Sequence, residues 1–211
     1  MTIKMVKTSA LCCLLFSALI SQTSLAKSPS FTYLEAEYVA SGEFEITDGN
    51  LSVAVDMDGF ALNASVELGI LLLQASRFEL ESDEIFGANL EDSISTIAIG
   101  LTFELPQTAI YGLVRGRRDE LSLRGAGFDE DEDGNSAGVE AGVRFNVTDR
   151  FELNANIGLP DLEDGTSYGV GAQFYLTKNL GLTLDYSSIE IEDEELSATF
   201  DTTSIGIRYN F

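Results

Sequence analysis

Apolar and polar residues alternate along most of this chain with a period of two, the signature of a strand with two unlike faces. The clearest case is the last segment: Ile205, Ile207, Tyr209 and Phe211 alternate with Ser204, Gly206, Arg208 and Asn210. Val139, Ala141, Val143 and Phe145 alternate with Gly138, Glu140, Gly142 and Arg144. Phe151–Leu159, Tyr168–Leu176 and Ile97–Phe103 repeat the pattern. One face is always apolar or aromatic; the other carries Gly, Thr, Asn or charge. The spacing predicts ten strands, at 31–46, 51–68, 70–81, 93–104, 109–119, 137–146, 151–159, 167–177, 181–190 and 202–211. Eight strands is the alternative, if 51–68 is partly loop or one hairpin is misread.

Alternation alone does not say which face meets water. A soluble sheet buries its apolar face, whereas a transmembrane barrel turns that face to lipid and keeps small and polar residues inside. Three features favour the barrel. Short turns at Leu68-Gly69, Leu105-Thr108, Val147-Arg150 and Lys178-Gly181 alternate with longer acidic connections near 47–58, 82–92, 118–136, 160–166 and 190–201. Phe103, Phe145, Phe151, Phe174, Tyr175, Tyr209 and Phe211 gather beside the short turns, as an interfacial girdle does. The last strand ends on an aromatic residue.

The N-terminus reads as an export signal: Lys4 and Lys7, an apolar run from Ala10 to Ile20, then Ser24-Leu25-Ala26 with small residues at the cleavage positions. The run is too short to span a bilayer, which takes about 20 apolar residues. Residues 1–26 are therefore expected to be removed and 27–211 to form one barrel domain. Cys12 and Cys13 fall in the removed part, so the remainder has no thiol or disulfide.

An export signal, strands along the rest of the chain and the ending Ile205-Gly-Ile207-Arg-Tyr209-Asn-Phe211 together resemble a small Gram-negative outer-membrane β-barrel, the OmpA/OmpX-like group in the broad sense. Phe31-Thr-Tyr33-Leu-Glu35-Ala-Glu37-Tyr38-Val39 resembles the opening strand of those barrels. The resemblance implies an all-β, antiparallel, up-and-down barrel in the outer membrane. It implies that Ile205, Ile207, Tyr209 and Phe211 are the signal read by the barrel-assembly machinery, with periplasmic chaperones and outer-membrane lipid as the other partners of a monomeric chain.

With the apolar faces outward, the lumen receives Glu35, Glu37, Arg115, Arg117, Glu140, Arg144, Glu152, Asp185 and Arg208. Isolated charges in a narrow barrel are costly, so these are expected to pair. Arginine suits that task because its planar fork meets a carboxylate at two points. A polar plug is the first reading and a charged constriction that selects solutes the second. The opposite register of the fifth strand, with Tyr111 and Leu113 on lipid and the arginines at the outer rim, stays open at this point.

The charge balance narrows the chemistry. Lys and Arg number 12, Asp and Glu 35, and the net charge is −23. Binding nucleic acid through its phosphates needs the opposite sign. There is no His, which excludes a Ser-His-Asp triad and His-based zinc sites. Enzymes among the resembling barrels depend on His, so no enzyme is expected. A carboxylate pair such as Glu35 with Glu140 is read as structural, and no cofactor is expected. Asp129-Glu-Asp131-Glu-Asp133-Gly134 through Glu140 matches the spacing of a calcium loop, with carboxylates at positions one, three, five and twelve. No helices flank it, so loose Ca²⁺ or Mg²⁺ binding by Asp129, Asp131 and Asp133 is weighed against a solvated acidic loop. The leading functional expectation is a structural or surface-interaction barrel acting through acidic extracellular loops. A narrow porin-like channel, and a soluble periplasmic barrel binding a lipid-like ligand, are the alternatives.

Overall fold

The computed structural model describes residues 28–211 apart from 49–50, 83–87, 126–127, 163–164 and 193–195. The segment read as an export signal lies outside the described residues. Ten strands follow in order: β1 (Tyr33–Asp48), β2 (Leu51–Leu68), β3 (Leu71–Ser82), β4 (Ala88–Leu105), β5 (Thr108–Gly125), β6 (Phe128–Thr148), β7 (Phe151–Leu159), β8 (Thr166–Tyr175), β9 (Leu180–Glu192) and β10 (Leu196–Asn210). Each pairs antiparallel with its neighbours in sequence. The pairing of β1 with β10, from Tyr33↔Asn210 to Asp48↔Leu196, closes the sheet into a barrel without free edges. Ten strands replace the alternative of eight.

Local chemistry sets the tight turns at one rim. Gly69 has φ 69°, at the first central position of the β2–β3 turn, where a two-residue hairpin favours glycine. Between β4 and β5, Pro106 precedes Gln107 with φ 68°, the order a type II turn uses. We call this rim periplasmic, by analogy with barrels whose short turns lie there.

At the other rim the structure departs from the expected loops. Much of 47–58, 82–92, 118–136 and 190–201, expected as acidic loops, is strand. β5 and β6 run for 18 and 21 residues, about twice what a tilted membrane strand requires. The wall therefore rises well beyond the apolar belt.

That belt is well defined. Leu62, Phe60, Leu68, Ile97, Leu101, Phe103 and Ile157 point outward and are 58–72 % exposed, which a soluble barrel would not tolerate. On β4 it runs from Ile97 to Leu105, a height of roughly 20 Å at the usual strand rise and tilt. Tyr38 stacks near Phe60 and Tyr168 near Tyr186 at its upper edge. The hydroxyls of Tyr38 and Tyr186 donate to Asp58 and Asp201, as ring-in-lipid, hydroxyl-in-water residues do.

Above the belt the alternation continues but its sense inverts. Along β3, Leu71, Leu73 and Ala75 face out; further up, Phe78 and Leu80 face in while Arg77 and Glu79 face out. Along β2, Phe60 faces out but Met57 and Val55 face in, with Asp58 and Asp56 in solvent. In lipid the apolar side must be outside; in water on both sides it must be inside. On β1 a bulge between Val39 and Ser41 absorbs Ala40. It carries the inward set from Tyr33, Glu35, Glu37 and Val39 to Gly42 and Phe44.

Candidate functional site: the lumen

The lumen is filled in three layers. The lowest is made by the segment before β1, which folds into the periplasmic mouth. Phe31 is 1 % exposed and packs on Leu72, Ala109 and Leu113. Its ring meets Tyr111 edge-on at 5.5 Å, and the Arg144 guanidinium lies 4.9 Å from its centre. Arg144 Nη1 donates to the Ser30 carbonyl at 2.7 Å. The Glu67 amide donates to Thr32 Oγ1, and the Phe211 amide to the Thr32 carbonyl, both at 3.1 Å.

The middle layer is a charge network. Arg208 Nη2 and Nε donate to Glu35 Oε2 at 2.7 and 3.1 Å, and Nη1 to Gln173 at 3.0 Å. Its guanidinium lies 4.3 Å from the centre of the Tyr33 ring. Arg144 pairs with Glu152 at 2.5 Å, and Tyr175 donates to the other Glu152 oxygen at 2.8 Å. Arg115 pairs with Glu140, which also accepts from Tyr111 at 3.0 Å. Gly142 makes room for that tyrosine: a β-carbon there would lie 2.5 Å from the Tyr111 hydroxyl. Glu37 and Asp185 are held by neutral donors instead, Glu37 by Asn63 and Ser204, Asp185 by Asn154 at 3.2 Å. A polar cavity of about 200 Å³ runs among these groups.

The upper layer is apolar. Val39, Met57 and Leu80 are buried, with Phe44, Val55, Phe78, Leu90 and Phe200 packed against them. Phe44 and Phe200 meet edge-on, 6.4 Å apart across the β1–β10 pair. Arg117 and Asp119 form an ion pair of 2.6 Å near this layer.

All nine expected lumen charges lie on the inward face. Glu35 and Glu140 do not form a carboxylate pair; each has its own arginine. Tyr111 and Leu113 are inside with Arg115, which decides the register of β5. Ile205, Ile207 and Phe211 point outward, 55 %, 55 % and 69 % exposed, and Tyr209 stacks edge-on with Phe211 at 5.1 Å. The backbone of Asp129–Asp133 is strand, not loop, and Glu140 at the twelfth position is engaged in the lumen. Asp133 is exposed, 4.0 Å from Arg118; the side chains of Asp129 and Asp131 lie outside the described residues. Among the described residues no three Asp or Glu gather closely enough to hold a metal ion.

Sequence reasoning did not find the Phe31 seal, the Tyr33, Tyr111, Tyr175 and Gln173 partners, or the apolar upper layer. Phe31 carries no distinguishing signal, because its place in the alternation is that of a strand residue. The upper layer does carry one: the shift of apolar positions from odd to even numbers within β3.

A closed antiparallel barrel with short turns at one rim, an outward apolar belt and a charged interior has the fold of the Gram-negative outer-membrane β-barrels. The chain is similar to the outer-membrane protease OmpT of Escherichia coli, with a TM-score of 0.53, 10 % identity and coverage of 91 % of this chain and 100 % of that one. It is similar to the translocator domain of the autotransporter NalP from Neisseria meningitidis, with a TM-score of 0.50, 13 % identity and coverage of 97 % and 98 %. Neisserial surface protein A gives 0.49 and 14 % identity over 86 % and 98 %. The sequence matches no family model and no curated protein.

Proposed function

We propose that this chain is a monomeric outer-membrane barrel, exported by a cleaved N-terminal signal, that works at the cell surface rather than as an open pore or an enzyme. The observation that carries this reading is the occupied lumen: a ring at the periplasmic mouth, paired charges in the middle and apolar side chains above. The part left to interact is the outer side of the raised wall. Asp56, Asp58, Glu79, Glu81, Glu91 and Glu120 face out there, offset by Arg77, Arg118 and Arg124. An acidic rim favours cationic partners, or divalent cations that bridge to lipid phosphates. Asp129, Asp131 and Asp133 at the start of β6 would bind Ca²⁺ or Mg²⁺ loosely. Recognition of Ile205, Ile207, Tyr209 and Phe211 by the assembly machinery belongs to the same reading, and their outward placement supports it.

Planar-bilayer recording of the refolded, inserted protein tests the central claim. Silence is expected. Steady unitary steps that shift in Arg115→Ala would overturn it in favour of a narrow charged channel. That second reading is favoured by the polar cavity in the middle layer.

A further inference from the structure

The inverted upper barrel needs an apolar interior simply to hold together in water, and the packed side chains that supply it leave a gap at one place. Beside the apolar layer lies a chamber of about 200 Å³. Phe78, Ile94, Ile189 and Phe200 are the apolar part of its lining; Thr96, Asn156, Ser187 and Thr202 supply hydroxyl and amide groups, the Ser187 and Thr202 hydroxyls bonding each other at 2.7 Å. A smaller cavity of about 80 Å³ adjoins it, sharing Arg117, Ile189 and Phe200. Close-packed interiors rarely leave voids much larger than a water molecule, and an apolar cavity of about 150 Å³ suffices for benzene. The chamber thus has the volume of a small ring with a substituent.

Its charges are already spent. Arg115 is paired with Glu140 and Arg117 with Asp119, so each guanidinium charge is offset by a carboxylate of the protein and an added anion would have to compete with that carboxylate. The chamber also reaches the lowest stretch of wall. β7 ends at Leu159 and β8 begins at Thr166, while β6 continues from Val139, the partner of Leu159, up to Phe128. Pro160, Ser167 and Tyr168, at that low edge, are part of its lining.

We propose that this chamber is a binding site for a small uncharged molecule with an apolar body and one hydroxyl or carbonyl group. The body lies against Phe78, Ile94, Ile189 and Phe200, and its polar group meets Thr96, Ser187 or Thr202. The proposal goes beyond the surface role and does not depend on it, since a closed lumen and an occupied chamber are compatible.

The chain provides a reporter. Met57 belongs to the cluster against which Phe78 and Phe200 pack, and it is the sole methionine among the described residues. Its ¹³C-labelled methyl resonance, assigned through Met57→Leu, is followed in refolded protein titrated with benzyl alcohol. A saturable shift is expected, unlike the linear drift that partitioning into detergent gives. Benzoate, with the same ring but a charge that burial penalises, should bind at least about tenfold more weakly. Ser187→Phe, which fills the chamber, should weaken benzyl alcohol at least about tenfold by steric exclusion. Thr96→Leu provides a second filling variant, and heat-modifiable migration on gels establishes that each variant is folded. Absence of a saturable shift in folded protein, or an unchanged shift in both filling variants, would overturn the site. Benzoate binding as tightly as the alcohol would overturn the uncharged class.

Discussion

Replacing Arg208 by Met is the sharpest test of the middle layer. The Arg208 and Glu35 side chains are 8 % and 2 % exposed and lie 2.7 Å apart. Methionine fills similar space but leaves the Glu35 carboxylate buried without its cation and Gln173 without its donor. Breaking a buried pair in this way costs about 3–5 kcal/mol, roughly a hundredfold to a few thousandfold in the unfolding equilibrium. Glu35→Leu alone strands the guanidinium and should cost a similar amount. The double variant strands neither and should return to within about 2 kcal/mol of the parent. The assay is urea unfolding of the barrel in lipid vesicles, followed by far-ultraviolet circular dichroism because the chain has no Trp. Strictly additive single costs, or a loss below about 1 kcal/mol for Arg208→Met, would refute the claim that the pair is desolvated and coupled.

Phe31→Ala should destabilise the barrel by about 3 kcal/mol, as removal of a buried ring does; a variant of parental stability in urea unfolding would contradict the packing of this ring in the mouth. Gly142→Val should cost about 1–3 kcal/mol by overpacking against Tyr111, and Tyr111→Ala in the same chain should relieve most of it; an unrelieved loss would place the strain elsewhere. Calcium titration by calorimetry should give weak binding, with Kd on the order of 10⁻³ M, lost when Asp129, Asp131 and Asp133 become Asn; no heat in the parent would remove the cation from the proposed function.

The strands were legible because lipid imposes one rule on every outward position it touches. From Ile97 to Leu105, or Phe151 to Leu159, a single apolar stripe repeats without interruption. The charges opposite those stripes were legible for the same reason, which is why Glu35, Arg144, Glu152 and Arg208 were assigned to the lumen. What was hidden lay where the solvent changes. At the upper edge of the belt the apolar residues move to the other face, so Phe78 and Leu80 fall out of phase with Leu71 and Leu73, and the acidic stretches beyond such points, 82–92 among them, read as loop. High acidity in the same stretches reinforced that reading, since Asp and Glu are poor strand formers in isolation. The pairing of each arginine with its carboxylate depends on cross-strand register, which a single sequence does not specify.

The bulge at Ala40 has a consequence for how this wall tolerates change in length. In a regular strand, losing one residue is a frame error, because every later side chain changes faces. Ala40 is the one position in β1 where the chain already carries a surplus residue against both neighbours. Deleting it would set Ser41 directly after Val39 and leave Gly42 and Phe44 facing inward, with Phe44 still opposite Phe200. Deleting Glu37 instead would leave every residue on one side of the cut out of phase with its partners. The bulge thus acts as a spare character in an otherwise strict text, placed near the boundary where the two solvents are read by opposite rules.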